Sequence, residues 1–262
     1  MCLGHPAGVP PVLAPPIGLR LRWFLGGTLA AGFVAESGPD GGLVGSIHFV
    51  RDRRDPGTWM FGHWRVLPAH RRSGIGRRLL REGMVRLPGV NRLYSYVDWG
   101  NDGSIRAHDR LGFEAAPELQ GMAPLAALAA LGPPTPAVRL RSVDRRDPEA
   151  ARLYARAMGD LWMRLVPAIA IPAMLGGRLF IAEDGGSPVG LVRLRRGDAW
   201  VFAVPEACDG PLLSRLAARI RDLGLPLEAD VALRGLSRSL VSRGGPIAVQ
   251  ILMGMSDVRR LR

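Results

Sequence analysis

Pro68-Ala69-His70-Arg71-Arg72-Ser73-Gly74-Ile75-Gly76-Arg77-Arg78-Leu79-Leu80 is the stretch on which the reading of this chain turns. The apolar-aromatic run before it, residues 59–66, has strand character, and Pro68 ends that run because it has no N–H to give to a ladder. Ile75, Leu79, Leu80, Met84 and Leu87 then recur at helical spacing, so the turn lies between a strand and an amphipathic helix. The first N–H groups of a helix have no acceptor within it and stand at the positive end of its dipole, which makes an anion their natural ligand. Gly74 and Gly76 have no Cβ to keep an oxygen away from the backbone, and Arg71, Arg72, Arg77 and Arg78 add charge around the same spot. An ordinary solvated helix start could carry the same residues. The discriminating signal is the spacing of a second cluster downstream.

That cluster is Asn101, Ser104, His108, Gly112 and Phe113. With Arg71, Gly74 and Gly76 in the pattern Arg or Gln, two residues, Gly, one residue, Gly or Ala, and with Val66-Leu67-Pro68 before it, the sequence resembles the GNAT family of N-acetyltransferases. The family's second signature has Asn, a small residue three later, Tyr seven later and Gly-Phe at the helix end. The spacings fit, and His108 stands where Tyr is usual. The resemblance implies an α/β (α+β) fold, a mixed β-sheet flanked by helices, and acetyl-CoA as acyl-donor cosubstrate with no metal. It implies that the backbone of Val66 and Leu67 bonds the pantetheine arm where two parallel strands splay. Arg71, Arg72, Ser73, Gly74, Ile75, Gly76 and Arg77 would hold the pyrophosphate, with Asn101 at the next helix start. Asn101 is also a good helix N-cap, and one residue can do both.

Acetyl transfer to an amine needs a neutral nucleophile, a stabilised oxyanion and a proton for the departing thiolate. His108 is the candidate acid, since an imidazole titrates near neutral pH, with solvent as its competitor. The strand position at which the family often has Glu reads Met60, which leaves His63 on the same strand and Asp98 at the end of residues 94–98 as candidate bases. Either can equally be structural, His63 as a core histidine and Asp98 as a strand end. Trp59, Trp64 and Trp99 flank this region as pocket wall or as core.

The second half repeats the order of elements. Residues 1–18 are Pro-rich, 19–118 form the expected acetyl-CoA-binding domain, 119–137 read as a linker ending in Gly-Pro-Pro, and 138–262 read as a degenerate acetyltransferase-like domain, which would place the fold twice in tandem, with an unrelated α+β domain as the alternative. In the second unit a strand at 138–143 leads to Asp147-Pro148-Glu149, a strong helix start. Strands at 179–183 and 189–195 mirror those at 28–36 and 43–50. Residues 199–204, Pro205 and a helix at 212–223 then take the place of the first unit's turn, which here reads Glu206-Ala-Cys-Asp-Gly-Pro211. Cys208 aligns with Arg71, Pro211 with Gly74 and Leu213 with Gly76. Without those glycines, with Glu206 and Asp209 added and an N–H lost to Pro211, this copy should not hold a pyrophosphate. Its remaining roles are scaffold, acceptor wall or homodimer surface. The first unit is short at its front: residues 1–16 show no helical period and only 19–24 could form a strand. Either the start codon is misplaced or the second unit closes the acceptor side.

Composition bounds the rest. The 262 residues are 47% hydrophobic, enough for two small domains with buried cores, and the apolar stretch 165–175 is too short to span a bilayer. Cys2 and Cys208 are the only cysteines, which gives neither a disulfide framework nor a metal-ligand cluster and suits the cytoplasm. The formal charge is +12, but every basic residue is Arg and the arginines are dispersed along the chain, so the balance reads as codon bias plus attraction for coenzyme A rather than a nucleic-acid tract. The sequence thus points to an N-acetyltransferase acting on an amine of unidentified class. A catalytically silent acyl-CoA-binding sensor is the alternative.

Overall fold

The computed structural model describes residues 30–37, 42–52, 55–132, 138–165, 171–195, 198–236 and 248–261. The contacts gather into two units: residues 1–95 with 255–262, and residues 96–254. The strand expected at 19–24 and the Pro-rich segment lie outside the described residues.

In the first unit β1 (Ala30–Ser37), β2 (Gly42–Arg51) and β3 (Thr58–Val66) run antiparallel, and β4 (Arg92–Asp98) begins parallel to β3. A parallel neighbour needs a crossover, and α1 (Ile75–Arg86) supplies it. Its buried stripe of Leu79, Leu80 and Met84 faces β2, where Ile47 and Phe49 are fully buried. Gly83 lets helix and sheet close up, because a Cβ there would collide with the Phe49 ring. Each large side chain buried in this way stabilises the fold by roughly 1.5–3 kcal/mol. The parallel ladder covers Thr58–Met60 against Arg92–Tyr94, and β3 runs on against β2 as far as Val66.

The second unit orders its strands β11-β5-β10-β9-β8-β7-β6. In chain order it contains α2 (Asp102–Asp109), β5 (Glu114–Pro124), α3 (Leu125–Ala129), β6 (Arg139–Val143), α4 (Pro148–Leu165) and α5 (Ile171–Met174). Then come β7 (Arg178–Asp184), β8 (Ser187–Arg195), β9 (Asp198–Ala203), α6 (Gly210–Asp222), β10 (Asp230–Leu236) and β11 (Ala248–Met255). The sheet is mixed: β9 and β10 are parallel and joined by α6, and the other described pairs are antiparallel. Asp147 caps α4 as its sequence suggests, its Oδ1 accepting from Glu149 N (2.8 Å) and Ala150 N (3.3 Å). Gly185 and Gly186, both at positive φ, make the two-residue turn between β7 and β8.

Composition and contacts place the boundary differently. Of the expected linker 119–137, the first part is the end of β5 and the next is α3, while 133–137 lie outside the described residues. The units instead divide inside β4, between Ser95 and Tyr96, and residues 96–118 cluster with the second unit. The physical reason is that β5 takes its hydrogen bonds from β10 on one edge and β11 on the other.

Candidate functional site: a glycine-capped helix start

The turn between β3 and α1 is built from the strand upward. Leu67 gives its N–H to Val44 O (2.8 Å), which keeps the last residue before Pro68 in the sheet, and a short 3-10 turn spans Pro68–His70. Arg71 folds back to donate from Nε to Val66 O (3.1 Å), and Ser73 Oγ donates to His70 O (2.6 Å), so the loop is braced by its own side chains. Arg72 and Gly74 both have positive φ, 66° and 82°. For Arg that is a strained backbone of the kind that gathers at binding sites; for Gly it is free of cost.

Gly74 is the N-cap of α1 and has no side chain to cap it. Arg78 N takes Gly74 O (3.0 Å) as the first intrahelical bond, so the amides of Ile75, Gly76 and Arg77 stand ahead of the ladder. The first turn holds no acidic residue, and Arg71, Arg72, Arg77 and Arg78 are exposed around it. A Cβ at Gly74 would meet no atom of the described residues within 4 Å, so none of them fills the space over the cap. This is the chemistry that a phosphate needs: unclaimed N–H groups, positive dipole, guanidinium donors and room. The residues therefore fit a pyrophosphate.

The two glycines expected to share this task do different things. Gly76 lies under the Trp64 indole: a Cβ there would come within 3.1 Å of Nε1, and Trp64 Nε1 donates to Gly76 O (3.0 Å). Trp64, expected as pocket wall or core, thus clamps the helix start onto β3. Trp59 is wholly buried and belongs to the core.

His63 occupies a bulge in β3, where Ser46 faces Arg65 and His48 faces Gly62, with φ +50°. Its ring lies beside that of His48, centroids 5.4 Å apart, a neighbour that sequence reasoning missed because a bulge breaks the period of two. Burial above all, then the nearby Arg65, pushes the His63 imidazole below its ordinary value. Burial thus favours its neutral form, the form a base needs.

Asp98, Asn101 and His108 belong to the second unit. Asp98 is exposed, and its Oδ1 accepts from Gln250 Nε2 (2.9 Å). Asn101 is the N-cap of α2, its Oδ1 accepting from Ser104 N (3.1 Å). His108 is 2% exposed and packs edge-on against Phe113, with Nδ1 2.7 Å from Ser104 O. A carbonyl only accepts, so Nδ1 carries the proton and Nε2 of the neutral ring carries a lone pair. Burial lowers the His108 pKa, partly offset by Ser104 O and Asp109. Acting as an acid through Nε2 would require the imidazolium, the form that burial disfavours.

Among the described residues no group of three or more His, Cys, Asp or Glu could hold a metal, and no helix is long and apolar enough to cross a membrane.

Residues 10–113 match the model of the Acetyltransferase (GNAT) family. A mycothiol acetyltransferase of Salinispora tropica is 33% identical over 90 residues, which cover 32% of this chain and 29% of that protein. Among solved structures, a GCN5-related N-acetyltransferase from Sphaerobacter thermophilus aligns with a TM-score of 0.48 at 19% identity, over 90% of this chain and 84% of that one. A tandem GNAT protein from the clavulanic acid biosynthesis pathway aligns at 0.39 and 17%, over 88% and 83%. The family match contains the whole of the turn from Arg71 to Arg77.

Proposed function

We propose that the chain is an acyl-CoA-dependent N-acetyltransferase that moves an acetyl group from acetyl-CoA directly to an amine. Acetyl-CoA supplies an activated thioester and a pyrophosphate handle. The observation that carries the reading is the N-terminus of α1: a glycine cap at positive φ with none of the described residues filling the space over it, no acid in the first turn and four arginines about it. In this reading the Ile75, Gly76 and Arg77 amides and the arginines hold the pyrophosphate. The backbone beside Val66 takes the pantetheine. The Leu67 amide and the Val66 carbonyl are already engaged, by Val44 O and Arg71 Nε, which leaves the Val66 N–H as the group for that task.

His63, its neutral form favoured by burial and its ring aimed by the bulge, is our proposed base for the acceptor ammonium, with Asp98 as its alternative. His108, with its lone pair at Nε2, suits accepting a hydrogen bond or a proton better than donating one, so solvent supplies the thiolate's proton at neutral pH. Asn101 bonds the cosubstrate through the amide group that its cap leaves over. Residues 138–262 act as a degenerate second copy of the fold.

The same tautomer argument favours the alternative of a catalytically silent acyl-CoA-binding sensor. Coenzyme A release from acetyl-CoA, followed with pooled amines, peptides and aminoglycosides, separates the two: acceptor-dependent release is expected. Tight acetyl-CoA binding without release under any acceptor would favour the sensor.

A further inference from the structure

The second unit holds a cleft that has no part in the proposed transfer. It is small and opens to solvent, and Tyr96, Glu118, Gln120, Met158, Arg234 and Leu252 are among its lining residues. Three irregularities of the backbone meet there. On β5, Ala116, Pro117 and Glu118 fall between the paired residues Ala115 and Leu119, opposite Leu252 alone of β11, and Pro117 has no N–H to give. On β10, Gly235 (φ 78°) is an extra residue between Arg234, which faces Gln120, and Leu236, which faces Leu119. Helix α4 is broken at Gly159 (φ 72°, ψ 168°), and the space where that residue's Cβ would stand is taken by the Glu118 carboxylate. One bulge is a common edge device. Two bulges and a helix break around one cleft interrupt three elements of a buried core at a single place, and such irregularities re-aim side chains beside binding sites.

The side chains so aimed are polar. Gln120 is 7% exposed and lines the cleft, and its Nε2 has no hydrogen-bond partner. A buried donor left unsatisfied costs about 1–3 kcal/mol, so a native protein keeps one where something else completes it. Directly across the ladder from Gln120, the Arg234 guanidinium carbon lies over the Trp200 ring, 4.7 Å from its centroid, with Nη1 donating to Leu233 O (3.0 Å). Glu118 brings a carboxylate to the same cleft, and Met158 and Leu252 give it an apolar wall. Donors and positive charge thus lie at one side chain pair, Gln120 and Arg234, and negative charge at Glu118.

We propose that this cleft binds a compact zwitterion of the α-amino acid class. The ligand's carboxylate accepts from Gln120 Nε2 and lies by Arg234, its ammonium faces Glu118, and a short apolar side chain meets Met158 and Leu252. The site does not depend on acetyl transfer, and it would stand if the turn at Gly74 bound nothing.

The test is a titration of the full chain, without acetyl-CoA, with L-alanine, read by the Gln120 side-chain amide resonances in ¹⁵N-labelled protein. Saturable movement of those resonances is expected. L-Alaninamide, which lacks the carboxylate, should bind about tenfold more weakly or worse, and Gln120→Leu should lose L-alanine binding to a similar degree with its melting temperature retained. Resonances that stay still under L-alanine, or equal affinity for L-alaninamide, would overturn the proposal. So would unchanged affinity in Gln120→Leu. Should that variant fail to fold, the wild-type amide resonances and the L-alaninamide comparison decide alone.

Discussion

Among the described residues two parallel strand pairs are joined by a helix, β3-α1-β4 and β9-α6-β10, and they treat their helix starts in opposite ways. At α1 the cap is Gly74 without a side-chain bond, none of the described residues fills the space above it, and arginines surround it. At α6 the cap is Asp209, whose carboxylate accepts from Leu212 N (2.6 Å), and Pro211 removes one of the remaining donors. Chain also covers that end: Ser214 Oγ bonds the carbonyls of Ala129 (2.9 Å) and Gly132 (2.7 Å), and a Cβ at Gly210 would lie 3.3 Å from Leu131 O. The ladders differ as well. β9 and β10 stay paired from Ala199–Val231 through Phe202–Arg234, close to the end of β9, whereas β3 runs on six residues past its last partner in β4. A strand-helix-strand connection that repeats therefore does not repeat the chemistry of its helix start, because that chemistry is set by the N-cap and by how far the ladder runs.

The strongest way to break this contrast is Gly74→Asp. It puts a carboxylate where α6 already has one and forces φ 82° on a residue with a Cβ. Acetyl-CoA affinity measured by calorimetry should fall about a hundredfold or more, since the added charge takes the place of the phosphate. Gly74→Asn, which tolerates the left-handed backbone and adds no charge, should keep far more of it. The clamp behind the turn is the next target. Trp64→Phe removes the bond to Gly76 O and should cost about 1 kcal/mol of stability in urea unfolding, with a several-fold weaker affinity as the helix start loosens.

The reciprocal change is Asp209→Ala. It should cost about 1 kcal/mol of stability as a lost cap, and leave acetyl-CoA affinity within error. The aligned position Leu213 is 1% exposed, so a charge there would test folding and not binding.

The smallest effect concerns pH. His63 and His108 both have pKa values lowered by burial, so below the ordinary value of 6.5 the unfolded chain binds more protons than the folded one. Stability should then fall as pH drops from about 7 through the window between 6.5 and the depressed folded values, and level off below it. Unfolding free energies in His108→Gln across that window should show a shallower slope than wild type.

Much of this was legible in the residues. The periodicity at 75–87, the Asp147-Pro148 start and the break between the strands at 179–183 and 189–195 lie within a residue or two of the elements found, because each is decided by local chemistry. The Asn101 cap was legible for the same reason. What escaped depends on partners distant in sequence. The β3 bulge that pairs His63 with His48, the indole over Gly76 and the Ser104 carbonyl that fixes the His108 tautomer carry no periodic signal. The unit boundary escaped too, since a Pro-rich composition at 133–136 is visible in the chain while the strands that claim β5 lie more than a hundred residues further on.

The central claim is that one helix start, and one alone, is built for a pyrophosphate. Calorimetric titration of acetyl-CoA into wild type, Gly74→Asp and Asp209→Ala tests it most directly. The account predicts one molecule per chain in wild type, the same stoichiometry and affinity in Asp209→Ala, and an affinity lowered about a hundredfold or more in Gly74→Asp. Two molecules per chain, or binding retained in Gly74→Asp and lost in Asp209→Ala, would contradict it.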